Sequence, residues 1–254
     1  MKLIAIHGKA GTGKDTVAKM AAEYIGEPVA RIAFADPVRQ LAGALVPAEI
    51  LTSRETKEEP LPKGVASMLR DARYVGTRLA PIFISIFHPR ASERPLAIDW
   101  NEVIPWLGHA GARNGSLTWA DALESLASTI SAAAWFEHLS PRRLMQLIGT
   151  EWGREKVGVN IWPMVAHDTL RALDGHVNAA IITDVRHQNE AKFADWIGAD
   201  VWSVRGKEST VKGAAEGHAS EAGVTLARGH IVINNTGTLD DLRSVVEDAI
   251  ESKP

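Results

Sequence analysis

The sequence contains no cysteine. Disulfide bonds, thiolate metal sites and cysteine nucleophiles are therefore excluded, and this composition fits a reducing compartment. The chain also lacks any apolar run that approaches the roughly 20 residues of a membrane-spanning helix, and no basic leader precedes its first apolar segment. We therefore expect a cytoplasmic protein that has no membrane partner.

An excess of positive charge is lacking as well, because 28 basic residues stand against 31 acidic ones and give a net charge of -3. Proteins that follow a nucleic-acid backbone usually carry a basic balance, so we expect no polymeric nucleic acid as a partner. The 254 residues, of which 45% are hydrophobic, suffice for one α/β domain with an insertion. Composition thus favours small-molecule ligands, and it leaves a homodimer open.

A glycine-rich stretch near the start, HGKAGTGKDT, matches the phosphate-loop pattern G-x-x-x-x-G-K at Gly8, Gly13 and Lys14. An apolar strand precedes it and an amphipathic helix follows, which is the order that such a loop requires. Backbone N–H groups and the helix N-terminus would bind phosphates, and Lys14 would reach the β- and γ-phosphates of ATP. The residues expected to bind ATP here are Gly8, Ala10, Gly11, Thr12, Gly13, Lys14, Asp15 and Thr16.

Asp15 occupies the position at which most phosphate loops carry a magnesium-binding hydroxyl. A carboxylate is a good oxygen ligand for Mg²⁺. We therefore expect Asp15 to serve a magnesium ion, either directly or through a bound water, while Thr16 adds a hydroxyl near the α-phosphate.

Strands and helices alternate along most of the remaining chain, which predicts an α/β fold with a doubly wound parallel sheet. Strands are predicted at 2–7, 29–34, 178–186, 199–204 and 230–234, and helices at 14–26, 35–45, 189–198 and 238–251. The alternation of strands and helices breaks between about Ala80 and Leu139, where several prolines and a glycine-asparagine turn occur. We interpret residues 46–140 as a mostly helical substrate-side or lid insertion within a single domain that spans 1–254. A surface excursion without function is the alternative.

A second set of polar residues lies in SPRRLMQLIGTEWGR, residues 140–154, where Ser140 and Pro141 are typical of a helix start. At about 100° per residue, Arg142, Gln146 and Gly149 share the face opposite the leucines. A guanidinium suits a phosphate oxygen and a glutamine amide suits a base edge. A plain solvated face is the alternative.

A third set follows the predicted strands at their carboxyl ends, where open α/β sheets bind ligands. Asp184 would hold magnesium or its waters, and Arg186 would neutralise charge on a transferred phosphoryl group, unless the two form only a structural pair. Asp36, after the second strand, suits a substrate-side role in orienting an arginine or a magnesium-bound water. Asn235, after the last strand, either contacts the ATP base or shapes a turn.

Eight segments together resemble the bacteriophage-type deoxynucleoside monophosphate kinases, a branch of the P-loop kinases. In order along the chain they are GKAGTGKDT, FADP, RETKEEPLP, PRRLMQLIGTEWGR, VNIW, TDVRHQNEA, HASE and NNTGTL. The resemblance implies a five-stranded parallel sheet and the transfer of the ATP γ-phosphate to a deoxynucleoside 5'-monophosphate for DNA precursor synthesis. It also implies ATP and Mg²⁺ as cosubstrate and cofactor, and a host-cytoplasmic location if the protein is phage-encoded.

The resemblance assigns roles residue by residue. Lys14 and the loop amides hold ATP phosphates, and the aspartate of GKDT is the residue that the family carries there. Lys14, Asp15, Asp184 and Arg186 form the expected catalytic set. The residues expected to bind the acceptor are Asp36, Arg54, Glu58, Arg142, Gln146 and Trp162.

Two other functions stay open at this point. One is a P-loop kinase that acts on another acceptor, either dephospho-coenzyme A or a 5-hydroxymethylpyrimidine within phage DNA. The other is a nucleotide-binding protein without catalysis, although such a protein would not need Arg142, Gln146 and Arg186 beside Lys14.

Overall fold

The computed structural model describes residues 1–53, 55–87, 119–206, 224–226 and 229–252. The chain divides into two compact units, residues 1–34 with 166–254 and residues 35–165. The expected insertion, 46–140, falls in the second unit, and its residues 88–118 lie outside the described part. Within the described residues, no helix is both long and apolar enough to cross a membrane.

The first unit contains a five-stranded sheet with the order β2-β3-β1-β4-β5. Its strands are β1 (Lys2–His7), β2 (Val29–Ile32), β3 (Ala179–Val185), β4 (Asp200–Gly206) and β5 (Ile231–Asn235). Every neighbouring pair is parallel, so the predicted α/β fold is confirmed. Six of the seven residues of β3 are buried, as expected for a parallel strand that is covered on both faces.

The helices follow the predicted alternation in the first unit and fill the second. They are α1 (Lys14–Ile25), α2 (Asp36–Gly43), α3 (Ala48–Thr52), α4 (Lys63–Leu69), α5 (Ala72–Phe87), α6 (Trp119–Phe136), α7 (Pro141–Gln146), the π-helix (Leu147–Val157), α8 (Ile161–Leu173), α9 (Gln188–Trp196) and α10 (Leu239–Glu251).

The core of the first unit holds α1 and α10 against one face of the sheet. Val17 and Ala21 of α1 and Val246 of α10 pack on Ile4 and Trp202, and all five are fully buried. This burial is what makes α1 a stable helix, since amphipathic packing supplies most helix stability in proteins. The start of α1, and with it the phosphate loop, is therefore fixed to β1.

The helix predicted from Ser140 begins as expected, because the Ser140 hydroxyl accepts a hydrogen bond from the Arg143 N–H at 3.2 Å. From Leu147 onward, however, the segment is a π-helix. The wider π turn no longer advances by the roughly 100° per residue of an α-helix. The prediction that Gly149 shares a face with Arg142 and Gln146 assumed α-helical rotation, which ends at Gln146.

Candidate active site

The phosphate loop connects β1 to α1 and has the predicted strand, loop, helix order. Gly11 and Gly13 adopt φ values of +79° and +91°, which lie in the left-handed region that side chains with a Cβ rarely enter. Gly13 is the N-cap of α1, so the positive end of the helix dipole lies directly at the loop. Such a terminus is suited to bind phosphate.

The side chain of Lys14 lies along this loop. Its Nζ donates a hydrogen bond to the Lys9 carbonyl at 2.7 Å. The Thr12 hydroxyl donates to the same oxygen at 3.0 Å, and the Thr12 N–H does so at 3.4 Å. Three donors thus converge on one carbonyl, which gives the loop a closed shape and keeps the ammonium group beside it.

The electrostatic surroundings of Lys14 connect it to the other predicted catalytic residues. Burial lowers the pKa of Lys14 below its ordinary value, and the positive charge of Arg186 lowers it further, while Asp15 and Asp184 oppose the shift. Arg186, Asp15 and Asp184 therefore all act on the charge of Lys14 at the head of α1. Since the protonated lysine is disfavoured here, an anionic ligand such as a phosphate would relieve the unfavourable energy.

Asp184 and Arg186 occupy the end of β3 and the turn that follows it. Asp184 is buried, and its Oδ1 accepts a hydrogen bond from the Phe34 N–H at 2.7 Å. The Arg186 side chain is exposed, but its backbone N–H donates to Glu190 at 2.8 Å, and the next N–H, of His187, donates to the same oxygen at 3.0 Å. Glu190 is 3% exposed, so its carboxylate fixes the turn from inside.

Sequence reasoning missed Glu190. The signal was present, because a glutamate three residues after a helix N-cap is the spacing of a capping box, and His187 is the N-cap of α9. The capping box was not recognised because its N-cap is a histidine and not the usual serine or threonine.

The donor set at the loop fits a magnesium ion that is shared with a nucleotide. Asp15 is exposed in the first turn of α1, with its carboxylate acting on Lys14. Within the described part of the chain, no group of three or more histidine, aspartate or glutamate side chains could hold a metal ion. Magnesium commonly binds through one or two carboxylates together with substrate phosphates and waters. Asp15 meets the protein's share of that requirement.

The second unit brings together two of the residues predicted to bind the acceptor. The Arg142 Nε lies 2.5 Å from Oε1 of Glu58, and the Arg142 N–H donates to the Lys57 carbonyl at 3.0 Å. Both side chains remain partly exposed, with 35% and 54% of their surface accessible. The guanidinium is thus held in place and still open to a ligand.

The other predicted acceptor residues have separate surroundings. Asp36 accepts a hydrogen bond from the Arg39 Nη1 at 2.7 Å, and both side chains are largely exposed. Gln146 ends α7, one helical turn after Arg142. Arg54 lies outside the described residues, and so does the HASE segment.

Trp162 is buried, with 3% of its surface exposed. Its Nε1 donates to the Gly149 carbonyl at 2.8 Å, and its ring centroid lies 6.4 Å from that of Trp152. A Cβ added at Gly153 would collide with the Trp162 ring. The indole N–H is therefore satisfied within the protein and is not available to a ligand.

Arg143 shows a different role from that of its neighbour Arg142. It donates to both oxygens of Glu137, at 2.6 and 2.9 Å, and it is also paired with Glu151. These contacts tie α7 to the end of α6 and to the π-helix. They raise the pKa of Arg143 and lower that of Glu137. The sequence pattern favoured Arg142 for the ligand side and assigned no role to Arg143.

We expect Arg143→Ala to lower stability by roughly 1 kcal/mol, since partly exposed ion pairs contribute little individually but here form a network. This corresponds to a fall in Tm of about 2–4 °C for a chain of this size. The pKa of Glu137 is depressed in the folded state, so its contribution is present above the unfolded pKa and is lost as the pH falls through the folded value. When the pH is lowered from neutral to acidic, the Tm of the wild-type protein should therefore fall further than the Tm of Arg143→Ala. Equal falls in the two proteins would contradict this role.

A known protein is similar to this chain over most of its length. The chain is 31% identical over 199 residues to the deoxynucleoside-5'-monophosphate kinase of Escherichia phage T5, and the alignment covers 75% of this chain and 70% of that protein. The family model described as deoxynucleotide monophosphate kinase matches residues 109–246. The chain belongs to the deoxynucleotide monophosphate kinase family.

Two further proteins of the deoxynucleotide monophosphate kinase family show shorter similarities. The one from Escherichia phage RB69 is 35% identical over 116 residues, which is 42% of this chain and 43% of that protein. The one from Enterobacteria phage T4 is 30% identical over 115 residues, which is 44% and 46%. The predicted resemblance to phage deoxynucleoside monophosphate kinases is thus confirmed.

Proposed function

We propose that this protein transfers the γ-phosphate of ATP to the phosphate of a deoxynucleoside 5'-monophosphate and releases ADP and the diphosphate, a step in DNA precursor synthesis. The observation that carries the proposal is the phosphate loop, in which Gly13 is the left-handed N-cap of α1 and the Lys14 Nζ lies along the loop at 2.7 Å from the Lys9 carbonyl oxygen, in a chain of this family. The names of the phage relatives supply the acceptor class.

On the donor side, the loop amides and Lys14 would bind the β- and γ-phosphates. Arg186 would offset the charge that spreads over the transferred group. Phosphoryl transfer asks a protein mainly for alignment and charge stabilisation. Asp15 would hold Mg²⁺ directly or through water, and the ion would supply further neutralisation of the phosphate oxygens.

No strong general base is required, because the acceptor phosphate is largely ionised at neutral pH. Asp184 is therefore assigned a positioning role. It is buried and tied to the Phe34 N–H, which suits a residue that holds the ends of β2 and β3 in register and contributes negative charge near Lys14.

On the acceptor side, Arg142 would seat the phosphate of the monophosphate, because a guanidinium pairs well with phosphate oxygens. Glu58, at 2.5 Å from Arg142, would orient that guanidinium. Gln146 would approach the base, and Trp162 would form a wall that limits which bases fit. Arg54 and Asp36 stay proposed as further residues of the substrate side, in or near the segment 46–140.

The proposal is tested by measuring ADP release from ATP with the four common deoxynucleoside monophosphates. AMP and dephospho-coenzyme A serve as controls for the acceptor. We expect ADP release that requires both Mg²⁺ and a deoxynucleoside monophosphate. Release that depends only on dephospho-coenzyme A, or only on DNA containing 5-hydroxymethylpyrimidine, would favour the alternative acceptors, and no transfer to any acceptor would favour a non-catalytic protein.

The role of Trp162 gives a prediction for acceptor binding. Trp162→Phe keeps an aromatic ring but removes the bond to Gly149 and part of the wall. We expect the KM for the acceptor to rise by about 3- to 10-fold, because the smaller ring leaves less apolar surface beside the base, while the KM for ATP stays unchanged. Steady-state kinetics with both substrates varied would measure this. Trp196→Phe, a change at a partly exposed tryptophan of the first unit, is the control, and an equal rise in both KM values would contradict a role on the acceptor side.

A further inference from the structure

Asn235, the last residue of β5, makes a specific contact with the phosphate loop. Its side-chain Nδ2 donates a hydrogen bond to the Thr12 carbonyl at 2.9 Å. The Asn235 side chain is partly buried, so this bond is shielded from competing water on one side. The sequence left open whether Asn235 contacts the ATP base or shapes a turn, and it did not predict the bond to the Thr12 carbonyl.

Two glycines make room for close contacts at the peptide between Thr12 and Gly13. A Cβ at Gly13 would collide with the amide of Asn235, so the glycine admits the asparagine side chain. A Cβ at Gly206, the last residue of β4, would lie 3.0 Å from the Thr12 Cα and 3.1 Å from the Thr12 carbonyl oxygen. Gly206 and Asn235 are partners in the pairing of β4 with β5. Two neighbouring strand ends therefore confine the peptide between Thr12 and Gly13.

Peptide geometry carries this restraint to the loop amide. The peptide unit is planar and trans, so its C=O and N–H bonds point in opposite directions. When Asn235 holds the Thr12 carbonyl, the N–H of Gly13 is directed away from Asn235. That N–H belongs to the N-cap of α1, where orphan helix donors bind anions.

We propose that Asn235 is a positioning residue of the phosphate loop, which acts on the triphosphate of the nucleotide through the Thr12–Gly13 peptide and not on the base. This inference rests on the proposed function, since it deepens the description of the ATP site. It separates two roles that an ATP-binding asparagine can have. A residue that contacts the base matters only to ligands with a base, whereas a residue that orients a loop amide matters to any triphosphate.

Inorganic tripolyphosphate is the probe that distinguishes these roles, because it carries three linked phosphates and no base. Calorimetric titration would measure the Kd of ATP and of tripolyphosphate for the wild-type protein and for Asn235→Ala. We expect both Kd values to rise by the same factor, roughly 3- to 10-fold, as for the loss of one hydrogen bond. In turnover assays the KM for ATP should rise, while the KM for the acceptor stays unchanged.

Two further variants make the test independent of one substitution. Asn234→Ala is the matched control, because Asn234 is adjacent, exposed and on the opposite side of β5, and it should leave both Kd values unchanged. Gly206→Ala should reproduce the effect of Asn235→Ala, since its methyl group would press on the Thr12 peptide from β4. Circular dichroism and thermal melting verify that each variant is folded.

The outcomes that overturn the inference are distinct. If Asn235→Ala weakens ATP but not tripolyphosphate, the residue contacts the base. If it weakens neither while the wild-type protein binds both, the bond to Thr12 has no functional role and the proposed function stands. If the wild-type protein binds neither ligand, the proposed function fails, and this inference fails with it.

Discussion

Replacing Lys14 with alanine is expected to lower kcat by about 100- to 1000-fold, which is the usual effect of removing one group that stabilises charge in a transition state. Lys14 is the cation at the head of α1, and its ammonium group lies beside the loop carbonyl of Lys9 at 2.7 Å. Coupled measurement of ADP release gives kcat directly.

The thermal stability of Lys14→Ala, unlike its activity, should not fall. Burial and Arg186 lower the pKa of Lys14 in the folded protein, so its charged form is disfavoured by folding at every pH below that lowered value. Alanine removes this unfavourable charge, and it also removes the bond from Nζ to the Lys9 carbonyl. Because these two effects oppose each other, we expect the Tm of Lys14→Ala at neutral pH to stay close to that of the wild-type protein. An unchanged Tm would show that the lost activity is not a loss of folding.

A matched control lies five residues further along the same helix. Lys19 has 71% of its side-chain surface exposed and pairs with Glu23 at 3.8 Å, so Lys19→Ala should retain wild-type kcat. Lys14→Arg keeps a positive charge that does not titrate, and its activity should not decline on the alkaline side where Lys14 loses its proton. Near-normal turnover in Lys14→Ala would contradict the assignment of this loop as the donor site.

Replacing Arg142 with alanine is expected to lower kcat/KM for the acceptor by about 10- to 100-fold, since a hydrogen bond to a charged group contributes about 1.5–3 kcal/mol. The change also leaves Glu58 without the guanidinium at 2.5 Å, and an unpaired carboxylate would repel the incoming phosphate. Binding of ATP should be unaffected. Steady-state kinetics for the acceptor and calorimetry for ATP would separate the two effects.

Arg142→Lys should restore only part of the loss, because an ammonium group keeps the charge but not the planar fork that binds phosphate through two bonds. Arg73→Ala is the control, since Arg73 is exposed on α5 and has no assigned role. If Arg142→Ala keeps wild-type kcat/KM for every acceptor, Arg142 does not belong to the acceptor site.

Local sequence rules were sufficient for the sheet and the phosphate loop. The strands are short apolar runs, and the glycines of the loop lie between a strand and an amphipathic helix, so periodicity and turn chemistry specify them without tertiary information. The placement of Asp184 and Arg186 also followed from a general rule, because parallel sheets collect polar residues at the carboxyl ends of their strands.

The second unit was harder to predict because its features depend on contacts between segments that are distant in sequence. Arg142 and Arg143 have different partners, because Glu58 approaches one while Glu137 and Glu151 approach the other. The π-helix also escaped prediction, since its residues carry an ordinary helical pattern. The burial of Trp162 follows from contacts with Gly149, Trp152 and Gly153, none of which the spacing of the tryptophan reveals.

The central place of β1 in the strand order has a consequence for amide hydrogen exchange. β1 has a hydrogen-bonded neighbour on each side, β3 and β4, and Ile4 and Ile6 are fully buried. Amides in such a strand exchange only when the whole unit opens, whereas those of edge strands such as β2 and β5 exchange through local fraying. Deuterium should therefore enter β1, β3 and β4 later than β2 and β5. The phosphate loop follows directly from one of these slowly exchanging inner strands.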